Sequence, residues 1–190
     1  MDRMVRIGPA EIKPDERRSV CLPVATLYTH TPVEMPVHVI NGRRSGPRLF
    51  VTAAIHAREY TTAELVTRFA ESLVNGYGAD ADATWLIDHH EIHLMLQTNP
   101  DGRKKAEAGL YWRKNTNQDY CAPTSNFRGA DLNRNFEFQW SCCGGSSGNQ
   151  CTETYRGPSP ASEPEVKDIQ AYMRSIFPDQ RDEGLDAAAP

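Results

Sequence analysis

The sequence predicts an α/β fold: a mixed, largely parallel sheet flanked by helices in three layers. Three observations predict it. Arg48 to Ile55 contains the nearly all-apolar run LFVTAAI, the pattern of a strand covered on both faces in the middle of a sheet. Two separate segments, at 62–73 and 166–176, carry apolar residues at helical spacing, so each helix has one face to bury against a sheet. With 190 residues, 39% of them hydrophobic, the chain is one domain's worth of sequence and can bury a core.

Charge and composition remove several classes of function. Twenty-one basic against 25 acidic residues leave a net charge of -4, which offers no footprint to a phosphate backbone, so nucleic acid is not an expected partner. No apolar run approaches the ~20 residues of a membrane span, and the N-terminus lacks the apolar core of a secretion signal. Four of the five cysteines (Cys121, Cys142, Cys143, Cys151) nevertheless fall in one loop region, as in exported, disulfide-bonded proteins. Their connectivity is open, and Cys21 is the simplest choice for the unpaired thiol.

In chain order, residues 1–33 are rich in proline and charge and read as an extended lead-in or edge strand, with short apolar pieces at Val20-Cys21-Leu22 and Val24 to Leu27. Val37 to Ile40 and Arg48 to Ile55 read as a β-hairpin across Asn41-Gly42. A helix follows, capped by Thr61 or Thr62 and striped by Thr62, Leu65, Val66, Phe69, Ala70 and Leu73, until Gly76 and Gly78 stop it. Within TWLIDHHEIHLMLQ a turn precedes a strand from Glu91 to Gln97. His89, His90 and His93 lie there without the spacing of a metal site, because a strand sends alternate residues to opposite faces; solvated or edge-facing positions account for them.

Asn99-Pro100-Asp101-Gly102 reads as a turn that opens some sixty residues without periodicity, a length that implies function or internal cross-linking. Ser162-Glu163-Pro164-Glu165 then forms a capping box for a helix striped by Val166, Ile169, Met173 and Ile176 and ended at Pro178. The remaining tail, 179–190, has no apolar face.

Chemistry concentrates where the apolar run ends, at Ala53-Ala54-Ile55-His56-Ala57-Arg58-Glu59. His56 and Glu59 form an HxxE pair that can converge on a cation such as zinc, and the carboxyl end of a sheet strand is a usual place for ligands. Arg113 and Arg134 sit on the long loop, where either a bound anion or a surface salt bridge would account for them.

Five stretches, HARE at 56–59, NPDG at 99–102, YWRK at 111–114, GADLNRNF at 129–136 and ETYRGPSPASEPEV at 153–166, agree in order and spacing with one family. From about residue 48 to 177 the chain resembles a zinc metallocarboxypeptidase of the carboxypeptidase A/B/T type. The resemblance implies hydrolysis of the C-terminal peptide bond of peptides and proteins, with Zn2+ as cofactor. It implies that His56 and Glu59 are zinc ligands and that Arg113 polarises the scissile carbonyl. Asn133 and Arg134 would grip the substrate's terminal carboxylate, and Arg58 would line the binding groove.

Zinc held by protein groups lowers the pKa of bound water to ~7, and a guanidinium pairs with a carboxylate through two hydrogen bonds. The family's third zinc ligand is a histidine beyond the SEPE helix, with its catalytic glutamate and a tyrosine later still. This chain has no histidine after His93. The resemblance is therefore to the N-terminal portion of such a domain, from which little or no activity is expected.

Residues from about 6 to 55 resemble the opening of the succinylglutamate desuccinylase/aspartoacylase branch, whose ligand motif would read HGDE in place of HARE. An N-acyl amino-acid deacylase is accordingly the nearest alternative function, and a non-catalytic carboxylate-binding module a second. A structural zinc site on the four clustered cysteines is a third, weakened by the absence of CxxC spacing.

Overall fold

The computed structural model describes residues 4–7, 9–23 and 34–177. Val24 to Leu27 and the tail at 179–190 lie outside them. A central sheet takes the order β3 (Glu16–Pro23), β4 (Glu34–Asn41), β6 (Glu91–Met95), β5 (Arg48–Thr52); β3–β4 and β4–β6 are antiparallel, whereas β6–β5 is parallel. Beside it, β1 (Val5–Ile7) and β2 (Ala10–Ile12) form a two-stranded antiparallel pair. The described part of the lead-in is therefore strand throughout much of its length, with β3 at the sheet edge.

Side-chain alternation sorts the two faces of the sheet into two cores, giving three layers. Val37, Val39 and Met95 pack with Ile169, Tyr172 and Ile176 of α4 (Pro164–Ile176) on one face. On the other, Ile40, Ile92 and Leu94 meet Val66 and Leu73 of α1 (Tyr60–Gly76) and Ala83 and Ile87 of α2 (Ala81–His89). The helical stripes follow, with three residues turned out: Thr62 is exposed, Leu65 is 66% exposed and Met173 38% exposed, and on α4 it is Tyr172 that faces the sheet.

Several local expectations are corrected. The segments around Asn41-Gly42 do not form a hairpin, because β6 inserts between β4 and β5. Among the described residues β5 is an edge strand that ends at Thr52, with Arg48 and Leu49 exposed, and β6 is the buried strand. The inversion has a physical cause: Glu91 and His93 on β6 are polar yet fully satisfied. His93 Nδ1 lies 2.6 Å from the Tyr172 hydroxyl, its Nε2 2.9 Å from Glu91, and Glu91 accepts from Arg48 Nε at 3.0 Å. His93 is thus a core residue and not a solvated or edge-facing one, while His89 and His90 lie against the backbone carbonyls of Trp85 and Leu86.

The turn expected before β6 is helix α2, capped by Asp80, whose side chain accepts from Ala83 N at 2.7 Å. Asn99-Pro100-Asp101-Gly102 also opens a helix, α3 (Pro100–Glu107), with the Asn99 side chain accepting from Gly102 N at 2.9 Å. An Asn cap followed by Pro at N1 starts a helix with the residues that also make a turn. Helix α1 begins one residue before its expected caps, so Thr62 serves elsewhere: its hydroxyl accepts from Ala54 N at 3.0 Å and donates to Glu59 O at 2.9 Å. At α4 no capping box forms; Glu163 and Glu165 turn inward and are fully buried.

The long loop is stapled. Cys121 pairs with Cys151 and Cys142 with its neighbour Cys143, leaving Cys21 as an exposed free thiol. With all four clustered cysteines in disulfides, the four-cysteine zinc site does not form. Lys114 is buried and donates to Gln150 O and Thr152 O, both at 2.9 Å, on either side of Cys151. Burial lowers its pKa to about 8.

Candidate metal centre and carboxylate clamp

His56 is positioned by backbone bonds on both sides. After β5, Ala53 N donates to Met95 O at 2.9 Å, and Ala54 takes a left-handed φ of 53° that turns the chain out of the strand. Asn99 then ties this turn to the long loop, donating to Ile55 O at 3.3 Å and to Lys114 O at 3.0 Å. Ala57 N donates to Arg113 O at 3.1 Å while Ala57 packs against Trp112 and Ala106. Arg113 is thereby held beside His56 although the two are 57 positions apart in sequence.

The side chains converge on a carboxylate that the motifs alone did not single out. Asp131, fully buried, lies with Oδ1 3.1 Å from His56 Nε2 and accepts at Oδ2 from Arg113 Nε at 3.1 Å and Nη2 at 3.0 Å. Burial works against its charge, but the hydrogen bonds from His56 and Arg113 outweigh it and hold the carboxyl below its usual range. Its backbone is set by Asp131 N donating to Tyr155 O at 2.7 Å and by Ala130 N donating to Asn115 Oδ1 at 2.8 Å. Gly129, at φ +87°, lets this stretch of chain lie against Asn115, whose carbonyl would sit 2.2 Å from an added Cβ. The available signal was an acid standing alone among Asn and Arg in GADLNRNF.

On the opposite side of the ring, His56 Nδ1 faces Glu59 Oε1 at 3.0 Å, and Arg113 Nη1 lies 3.9 Å from the same oxygen. With Nε2–H donated to Asp131, the Nδ1 lone pair is the one a cation would use, a carboxylate-oriented imidazole of the kind found at metal sites. The donor set suits zinc: one imidazole nitrogen and one carboxylate oxygen already adjacent. Among the described residues no group of three His, Cys, Asp or Glu side chains is placed to hold a metal.

The remaining candidate residues flank this centre. Asp131 caps the 3-10 turn Leu132–Arg134, accepting from Asn133 N at 3.0 Å, so His56, Arg113 and the turn that carries Asn133 and Arg134 share one anchor. Asn133 and Arg134 open onto a cleft walled by Phe136, Trp140 and the 142–145 segment. There Arg134 Nε donates to Gly145 O at 2.7 Å and Nη1 to Asn133 O at 2.9 Å. Arg58 is engaged elsewhere: it makes a two-pronged ion pair with Glu153, at 2.7 and 3.1 Å, and stacks 4.0 Å from the centre of the Tyr111 ring.

The layered α/β fold thus gathers an HxxE pair, a buried aspartate that bonds the histidine, and a loop arginine at one site. The zinc carboxypeptidase family matches residues 22–184, and the chain belongs to it. Metallocarboxypeptidase A of Trichophyton tonsurans is 37% identical over 136 residues, covering 71% of this chain and 31% of that protein. Carboxypeptidase A1 of Rattus norvegicus is 35% identical over 147 residues, covering 74% and 33% respectively. The crystal structure of thrombin activatable fibrinolysis inhibitor superposes with a TM-score of 0.69 at 29% identity, over 82% of this chain and 38% of that one. The chain thus spans about a third of the length of the curated relatives it matches. Among the described residues no helix is long and apolar enough to cross a membrane.

Proposed function

We propose that this chain carries the zinc-binding and carboxylate-recognising half of a peptidase that removes C-terminal residues from peptides and proteins. The observation that supports it best is the line Glu59–His56–Asp131–Arg113, in which one buried carboxylate orients the imidazole and the guanidinium together. Zinc, when bound, supplies Lewis-acid activation of water and of the scissile carbonyl. His56 Nδ1 and Glu59 would hold it, and Asp131 keeps the imidazole in the required orientation. Arg113, side chain 15% exposed, is poised to meet negative charge developing on the carbonyl oxygen in a partly dry setting. Asn133 and Arg134 receive the terminal carboxylate, the feature that separates an exopeptidase from one acting within chains. The two disulfides fit an exported protein acting in an oxidising compartment.

Two measurements test the reading. Zinc should bind weakly and be lost in His56→Ala, and a peptide with a free C-terminus should perturb the Asn133 and Arg134 NMR signals while its C-terminal amide does not. Equal perturbation by the amide would remove the clamp. Because the described residues supply two ligands, the 190-residue chain should release C-terminal amino acids at a negligible rate. Robust zinc-dependent release would show that the centre is complete without further donors. Turnover of an N-acylated amino acid in preference to a peptide would instead favour the deacylase.

A further inference from the structure

The cleft beside Arg134 is closed by a segment of unusual backbone. Between Gln139 and Gly145, Gln139 (φ 48°), Ser141 (67°) and Cys143 (66°) are left-handed, as are Gly144 (83°) and Gly145 (75°). Residues with a Cβ rarely adopt that conformation, and three of them within five positions require a restraint. The restraint present is covalent: Cys142 and Cys143, adjacent and both exposed, are joined through their sulfurs into a small ring. The segment is pinned at its start, where Trp140 Nε1 donates to Arg156 O at 3.2 Å, and just after its end, where Ser147 N donates to Thr154 O at 2.9 Å. Between these points its product is one contact of consequence, the Gly145 carbonyl that accepts from Arg134 Nε at 2.7 Å.

We propose that the Cys142–Cys143 disulfide is a positioning element for the Arg134 guanidinium: closed, it presents the Gly145 carbonyl that aims the clamp, and reduced, it releases it. The functional consequence rests on reading Arg134 as the carboxylate clamp; the positioning itself does not. Opening is a two-electron step. A small dithiol gives two electrons and two protons, the Sγ–Sγ bond breaks to two thiols, and the dithiol closes to its own disulfide. Exposure of both cysteines leaves them open to such a reagent, and the second disulfide, Cys121–Cys151, lies elsewhere in the loop.

The test follows the Arg134 Nε–H signal in the 15N-labelled chain, assigned by its disappearance in Arg134→Gln. In Cys142→Ser/Cys143→Ser, which keeps Cys121–Cys151, and in Gly145→Ala, which disturbs the carbonyl with the disulfide intact, the Nε–H should exchange with water about tenfold faster, the effect of losing one hydrogen bond. Should either variant not fold, the native chain is taken through partial reduction, with alkylation and mass spectrometry showing 142/143 open and 121/151 closed; the same acceleration is expected and should reverse on reoxidation. An unchanged exchange rate with 142/143 open overturns the proposal. Affinity for N-acetylphenylalanine, a probe with a free C-terminal carboxylate, is read in parallel and should fall by roughly the same factor. Faster exchange without any carboxylate binding in the oxidised chain upholds the positioning role and removes the clamp reading.

Discussion

Asp131 and His56 are joined at 3.1 Å inside the protein, and the same carboxylate holds Arg113 on its other oxygen. Removing its charge therefore acts on two functional groups at once. In Asp131→Asn an amide cannot accept from both partners, leaving either the imidazole unoriented or the guanidinium unpaired. Outer partners of metal-ligating histidines are commonly worth about 10- to 100-fold in metal affinity, and a loss of that order is expected. Competition against a chromogenic zinc chelator measures it, and an affinity equal to the wild type would show that Asp131 does not orient His56.

That residue also marks how far the sequence could be read. The α/β class, the three layers and helices α1 and α4 were legible because their apolar residues recur at 3.6-residue spacing, and the family was legible in the order and spacing of the motifs that carry the candidate residues His56, Glu59, Arg113, Asn133 and Arg134. Helix α3 was not, since Asn99 and Pro100 serve a turn and a helix start equally well. Strand β6 was not recognised as the buried one because Glu91 and His93 look like surface residues until Arg48 and Tyr172 are seen to satisfy them. Asp131 escaped for the same reason: its partners lie 75 and 18 positions away.

The β6 network makes its own prediction. Tyr172 on α4 gives the buried His93 its partner at Nδ1, so Tyr172→Phe leaves a polar nitrogen without a partner in the core. A loss of about 1 to 3 kcal/mol is expected. Urea denaturation reads it as a lower midpoint at unchanged slope, and an unshifted midpoint would mean that water or another group replaces the hydroxyl.

Cys121 and Cys151 close a loop with a sequence separation of 30 that brings Gln150 and Thr152 against Lys114. On chain-entropy grounds the double variant Cys121→Ser/Cys151→Ser should lose roughly 3 to 4 kcal/mol. Thermal melting tests this. Hydrogen exchange should further show the backbone near Tyr120 and Thr152 losing protection before α1 and α4 do.

Stability should also fall as pH rises from about 5 to 8, through Glu165. This carboxyl is fully buried; its Oε2 shares the Asn115 amide, at 3.3 Å, with Glu163, at 2.7 Å, and its Oε1 has no hydrogen-bond partner among the described residues. Burial, reinforced by the charges of Glu163 and Asp101, pushes its pKa up to about 8. A folded-state pKa above the unfolded value means that the native state holds the proton more tightly. The stabilisation is complete below the ordinary carboxylate range and is lost as pH climbs through about 8. Lys114, lowered to about 8, acts with the opposite sign and only above that pH. A tenfold difference in proton affinity between the folded and unfolded chain is worth about 1.4 kcal/mol, so a decline of several degrees in Tm is expected between pH 5 and 8. In Glu165→Gln, which keeps the shape without the titration, that decline should flatten. A Tm profile identical to the wild type's would place the pH dependence elsewhere.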